Sequence, residues 1–295
     1  MEKKAAFNSK VLPYLLLAPS SLIILIFLFY PALETFRLAA YRTDAFGFRK
    51  MFVGFDTFTE LLVSPDYGKA VVVTFFFTLW VVVIGLAVSL ALAVLANQKV
   101  RGIRFYRTAM IWPYALSTAI AGAIWAFLFD PSAGVLNYFF SIVFNFKPKW
   151  LTSQELALGV IVATTVWKNL GYNIVFFLAG LQNVPEQLKE AAALDGANSW
   201  KIFWRITFVL LSPITFFLLI MNVIHAFFDT FGMIEVMTQG GPARATNILI
   251  YNLYRSAFVN HDVGTASAES IFIFILVMFV TLVQFRTAGR RVHYQ

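Results

Sequence analysis

Lys168, Asn169 and Tyr172 lie near the middle of the apolar run Leu156–Leu181, and a second apolar run carries Asn222, His225 and Asp229. At helical spacing Lys168 and Tyr172 share a face, with Thr165 one turn earlier, while Asn222 and His225 share another face that Asp229 continues. An ammonium, amides and a phenol within apolar runs are donors able to hold a ligand, because an intramembrane charge is costly and usually faces a bundle interior or a cavity. A purely structural use competes with this: Lys168 can pair with Asp229 or snorkel its ammonium toward an interface. Other chemistry has little support. The chain has no cysteine, and His225, His261 and His293 lack the HExxH or similar spacing of a metal site. No Ser/His/Asp set stands out, and no Walker A sequence is present, so the chain cannot supply a nucleotide site itself. No catalytic residue and no metal ligand is nominated.

The other chemically informative stretch is Glu190–Pro213, EAAALDGANSWKIFWRITFVLLSP. It is a polar, amphipathic island between two apolar runs. Pro185 suits the first turn of a short helix, and Glu186 adds negative charge at its N-terminus. Ala191–Ala193 give that helix a small-residue face that another backbone could approach. Asp195-Gly196 breaks it, because glycine permits the positive φ of a tight reversal. Asn198 or Ser199 can cap a second helix through Trp200, Phe203 and Trp204. The pattern predicts a helix, turn, helix elbow.

These features require elements that hold them across a bilayer. Of 295 residues 60% are hydrophobic and only 13% charged, with mean hydropathy +0.75, which excludes a soluble domain of this size. Six runs are long enough to span: Leu12–Tyr30, Ala70–Leu95, Arg107–Phe129, Leu156–Leu181, Phe208–Phe231 and Thr265–Phe285. They are continuous rather than alternating, which predicts an all-α membrane bundle and not a barrel. The first follows Lys3, Lys4 and Lys10 like a signal peptide, but bulky Tyr30-Pro31 replaces a cleavage site, so it reads as a retained helix. Pro113 and Pro213, early in the third and fifth runs, should bend them.

The net charge of +8 is distributed in short clusters at the ends of the runs. This is a topology signal and not a nucleic-acid footprint. Lys3, Lys4, Lys10; Lys99, Arg101, Arg104, Arg107; Lys189, Lys201, Arg205; and Arg286, Arg290, Arg291 mark the cytoplasmic side, which places both termini and the Glu190 elbow there. On the outer side Arg37, Arg42, Arg49, Lys50 and Lys69 are diluted among Asp44, Asp56, Glu60 and Asp66, and Lys147, Lys149, Arg244 and Arg255 complete it. Two outer connections can hold structure: Val135–Phe146, apolar but too short to span, and Met237–Val263, with a turn at Gly240–Pro242 and an apolar stretch Ile248–Phe258.

The elbow sequence resembles the EAA loop of permease subunits in bacterial binding-protein-dependent ABC importers. Glu190, Ala191, Ala192, Gly196, Leu211 and Pro213 carry the match, with Ser212 standing between the last two. LPYLLLAP at Leu12–Pro19, FYRTAMIWPYA at Phe105–Ala115 and GGPARAT at Gly240–Thr246 are similar to the sugar-permease branch that includes maltose and glycerol-3-phosphate importers. FGF at Phe46–Phe48, WKNLGYNIVFF at Trp167–Phe177, HAFFDTF at His225–Phe231 and the terminal VHYQ are most similar to the first permease subunits of sn-glycerol-3-phosphate importers.

The resemblance implies a six-helix, type I importer permease fold in the bacterial inner membrane, one transmembrane domain over 1–295 with a core near 70–285 and a coupling loop at 185–206. It implies a second homologous permease, two ATPase subunits, an external substrate-binding protein and membrane lipid as partners, with no nucleic acid. ATP and Mg would reside in the ATPases, and no cofactor in this chain. Glu190, Ala191, Ala192, Asp195 and Gly196 would dock the elbow on an ATPase. The implied cargo is sn-glycerol-3-phosphate, with glycerophosphodiesters as further substrates, and the ammonium of Lys168 suits a phosphate ester. The same machine for a neutral sugar or oligosaccharide is the nearest alternative. An ion-coupled transporter would need ion-binding acidic residues in the spans, and Asp229 sits near a helix end; a membrane enzyme would need a convergent cluster that is absent.

Overall fold

The computed structural model describes residues 11–43, 50–98 and 101–287. Lys3, Lys4, Lys10, Asp44, Arg49, Lys99, Arg290 and Arg291, together with Phe46–Phe48 and the terminal VHYQ, lie outside the described residues. The chain forms two compact units. The first takes the described residues up to Val63 together with Leu253–Phe274, and the second takes Ser64–Asn252 and the described residues from Ile275 on.

In the first unit α1, Leu12–Ala39, is a continuous helix of 28 residues with no buried residue from Leu12 to Phe29. Being apolar on every side, it can face hydrocarbon all round. It outruns the apolar stretch that ends at Tyr30, and its polar last turns include Glu34 paired with Arg37. Then β1, Tyr41–Thr43, pairs antiparallel with β2, Lys50–Phe52, placing Tyr41 opposite Phe52 with ring centroids 5.4 Å apart. This hairpin departs from the all-α expectation. Open sheet edges are excluded from lipid-exposed hydrocarbon but permitted beyond it, and Tyr41–Phe52 follows the end of the apolar run. Helix α2, Asp56–Val63, follows, its Glu60 paired with Arg42.

The second unit begins with α3, Pro65–Ala96, started by Ser64, whose hydroxyl accepts from the Tyr67 amide at 3.3 Å. Next come α4, Ile103–Ala115, and α5, Thr118–Leu128; α6, Val135–Phe144; α7, Gln154–Gln182; and α8, Glu186–Leu194. Then follow α9, Ser199–Leu210, and α10, Ser212–Phe228, with α11 at Phe231–Met237. Two further helices, α12 at Leu249–Tyr254 and α13 at Val263–Thr287, carry the chain across the unit boundaries.

Four helices, α1, α3, α7 and α13, are long and apolar enough to cross a membrane, or six if each bent pair is one span. The third and fifth runs are therefore not single straight helices. Helices α4 and α5 meet at 103° and α9 and α10 at 66°. Pro113 lies in a short 3₁₀ turn, Trp112–Ala115; Leu116 and Ser117 are extended, and the Ser117 hydroxyl caps α5 by accepting from Ile120 at 3.3 Å. At the other break Pro213 lies in the first turn of α10, where its missing N–H costs nothing.

Lipid offers little hydrophobic force between helices, so packing and close approach hold the second unit together. Helix α7 is its centre, lying against α3 and α10. Ile174, Phe177 and Leu181 pack with Ala93 and Ala96 of α3 and with Leu211 and Leu218. Gly180 makes the approach possible, since an added Cβ would sit 2.4 Å from Ile214 and 2.6 Å from Leu211 side-chain carbons. Arg107, first a topology mark, also donates to the Ala96 carbonyl at 3.2 and 2.9 Å, which satisfies an orphan acceptor at the end of α3.

Candidate functional site

The elbow is built as two capped helices. Pro185 is the N-cap of α8, and Lys189 pairs with Glu186 at 2.8 Å. At its far end the Gly196 amide donates to Ala193 at 3.0 Å and the Ala197 amide to Ala192 at 2.9 Å, the two bonds of a Schellman closure. Gly196 takes φ +81° there, a conformation in which a side chain is strained. Asn198 then caps α9, its Oδ1 accepting from the Lys201 amide at 2.9 Å, and Trp200, Phe203 and Trp204 follow with ring centroids 5.6 and 5.2 Å apart. Trp200 and Trp204 are exposed, as suits a membrane interface.

What the elbow lacks is cover. No residue of α8 is buried, and Leu194 is 90% exposed. Glu190, Ala191, Asp195 and Gly196 are exposed, with Ala192 half-buried. Between the elbow and the ends of α3 and α7 lies a cavity of about 330 Å³, lined by Asn97, Leu181, Lys189, Ser199 and Thr207 among others.

Lys168, Tyr172, His225 and Asp229 lie in one layer with Tyr114. Lys168 is half-buried on α7, its Nζ 5.1 Å from the centre of the Tyr114 ring, a cation–π distance. Tyr114 leans on Tyr172 at 5.4 Å, and Tyr172 meets the His225 ring edge-on at 5.2 Å. His225 Nε2 is 3.8 Å from Asp229. The spacing argument thus brings Lys168, Tyr172, His225 and Asp229 together. Tyr114 was not singled out in the sequence, because only the break near Pro113 turns it toward α7.

Other residues are placed elsewhere. Asn169 is buried on α7. Asn222 is buried too, in a reciprocal amide pair with Asn173 at 3.1 and 2.7 Å, and it donates to Leu218 at 2.8 Å. The Thr165 hydroxyl donates to Ile161 at 2.7 Å and contacts Met233 sulfur at 3.2 Å. Among the described residues no three His, Cys, Asp or Glu converge as a metal site would require.

The connections expected on the outer side hold structure of their own. Helix α6 is joined through Asn137, which accepts from Trp150 Nε1 at 2.9 Å. In the Gly240–Thr246 turn Arg244 pairs with Asp66 at 2.5 Å, and the Thr246 hydroxyl donates to Gly241 at 2.7 Å. Helix α12 starts in the stretch read as apolar, its Leu249 amide donating to Thr74 at 2.9 Å.

Known proteins fit this arrangement. Residues 97–294 match the family described as binding-protein-dependent transport system inner membrane component. The chain is 42% identical over 294 residues, 99% of both chains, to the sn-glycerol-3-phosphate transport system permease protein of Brucella abortus, and 43% over 293 residues, again 99% of both, to that of Rhizobium meliloti. The Escherichia coli protein of the same name is 42% identical over 294 residues and 99% of both chains. In structure the chain is similar, with TM-score 0.83, 23% identity and 95% of both chains covered, to a chain of a bacterial ABC transporter that imports the acidic polysaccharide alginate. The same fold recurs, with TM-score 0.82 and 23% identity over 95% of this chain and 94% of that one, in an alginate transporter in complex with its pentasaccharide-bound periplasmic protein. By family match and full-length identity, the chain belongs to the inner-membrane components of binding-protein-dependent transport systems.

Proposed function

We propose that the chain is the permease subunit of an ATP-driven importer for sn-glycerol-3-phosphate, working with a second, homologous permease. The observation that carries this reading is identity above 40% over 99% of both chains with three permeases named for that substrate. The Lys168, Tyr114, Tyr172 and His225 layer supplies suitable chemistry: an ammonium with phenol and imidazole partners can neutralise and orient a phosphate ester. Asn169 and Asn222 stand behind that layer. Glycerophosphodiesters keep one phosphate charge and are candidate substrates of the same path.

In this reading the permease makes and breaks no covalent bond and is no enzyme; ATP and Mg reside in two separate ATPase subunits. The bent pairs α4–α5 and α9–α10 each count as one span, giving six spans with both termini cytoplasmic in a single type I permease domain. An ATPase docks on Glu190, Ala191, Ala192, Asp195 and Gly196. A substrate-loaded external binding protein docks on the opposite side, where α6 and the Gly240–Thr246 turn lie. ATP-driven closure draws two elbows together and opens the permeases outward, and substrate then crosses between them. This requires the ATPases to grip the two permease states with different free energies.

Uptake by the purified complex in vesicles tests the reading. ATP-dependent uptake of sn-glycerol-3-phosphate, blocked by glycerophosphodiesters and untouched by maltose, is expected. Uptake blocked by maltose alone would assign a neutral-sugar importer instead.

A further inference from the structure

We propose that the buried Asn173–Asn222 pair is the rigid link through which movement of the elbow reaches the Lys168 layer. This rests on the importer reading above. The two amides exchange bonds at 3.1 and 2.7 Å, and each residue is only 1% exposed. An apolar pair would fill such a place in a membrane bundle without any requirement of direction. The reciprocal amides, by contrast, fix how α7 and α10 are turned about their own axes, because rotating either helix would take the donor from both amide oxygens in an apolar interior. The third bond, from Asn222 to Leu218, locks the Asn222 side chain to its own helix.

Position makes the pair a link and not only a fastener. The elbow hangs from the end of α7 at Gln182 and the start of α10 at Ser212. At 1.5 Å per residue the pair lies roughly 15 Å inward from both attachments. Between the pair and the elbow the two helices are pinned again, where Gly180 admits Leu211 and Ile214. On the far side of the pair, Tyr172 adjoins Asn173 and His225 lies one turn beyond Asn222, with their rings in contact at 5.2 Å. Two helices fastened at two levels move as one body. A displacement at the elbow therefore arrives at Tyr172 and His225 without being absorbed between α7 and α10. Asn173 and Asn222 act here as positioning residues.

The test uses the full complex in proteoliposomes with its binding protein. Asn173→Leu and Asn222→Leu each strand the remaining amide and should lower thermal stability. The double variant Asn173→Leu/Asn222→Leu has no stranded amide and should regain stability. It should nevertheless hydrolyse roughly 2- to 30-fold more ATP per substrate imported, the range that altered coupling between sites produces. Asn173→Ser keeps a small polar group but cannot hold both bonds, and should raise the same ratio by itself if the double variant does not assemble. A wild-type ratio in the double variant, or in Asn173→Ser, overturns the proposal and leaves the pair a packing contact. A wild-type complex without ATP-driven uptake would instead overturn the importer reading.

Discussion

Replacing Lys168 by glutamine tests the layer most directly. Lys168 is half-buried, its ammonium lies against the Tyr114 ring at 5.1 Å, and Asp229 adds an opposite charge to the same layer, 3.8 Å from His225. A hydrogen bond to a charged group contributes about 1.5–3 kcal/mol, and each 1.4 kcal/mol is about a factor of 10. Lys168→Gln should therefore reduce uptake at sub-saturating, substrate-loaded binding protein by about 10- to 100-fold, nearer tenfold because Asp229 already offsets part of the cation's field. Lys168→Arg should keep most of the activity. Asp229→Asn removes the opposing charge and should shift uptake the other way. Radiolabelled uptake in proteoliposomes measures all three, with co-purification of the ATPases as the control for assembly. Unchanged uptake by Lys168→Gln refutes the reasoning, and so does a loss that merely follows a loss of assembled complex.

At Gly196 no neighbour lies within 4 Å of a would-be Cβ, so substitution acts through the backbone alone. Gly196→Val forces a β-branched residue to the left-handed conformation at a cost of about 1–2 kcal/mol and should weaken ATPase co-purification, whereas Gly196→Asn should retain it. Asp130 accepts from the Ser132 hydroxyl at 2.6 Å and from the Ser132 and Ala133 amides at 2.8 Å; these bonds hold its carboxyl below the ordinary value. The turn gains from the charged form above the free aspartate pKa of about 3.9, and that gain is lost as pH falls through the lower folded value. Protection of the Ser132 and Ala133 amides, relative to the intrinsic exchange rate at each pH, should fall there, and in Asp130→Ala at neutral pH; protection unchanged across that range would contradict this.

Four long apolar helices, α1, α3, α7 and α13, were legible because hydrocarbon demands long apolar runs, and they run beyond those runs, as at Pro65 and Thr287. The Gly196 elbow and the Asn198 cap were legible because both depend on neighbours in sequence. Lys168 with Tyr172, and Asn222 with His225, follow from helical spacing alone. The partnership of Asn173 with Asn222 does not, since it depends on how α7 and α10 are turned toward each other. The 103° break after Trp112–Ala115 was legible only as a bend, because its depth is set by Ser117 starting a new helix. The Tyr41–Phe52 hairpin was hidden in a connection with no apolar run of its own.

The closures at Gly196 and Asn198 carry one more consequence. Bonds from within the elbow satisfy its turn, so its shape is preformed without help from a partner. A partner that grips a preformed shape incurs little ordering entropy on binding, and its release leaves nothing to refold. For the ATPase proposed above as the partner, a joint of that kind can be taken up and let go at every turnover.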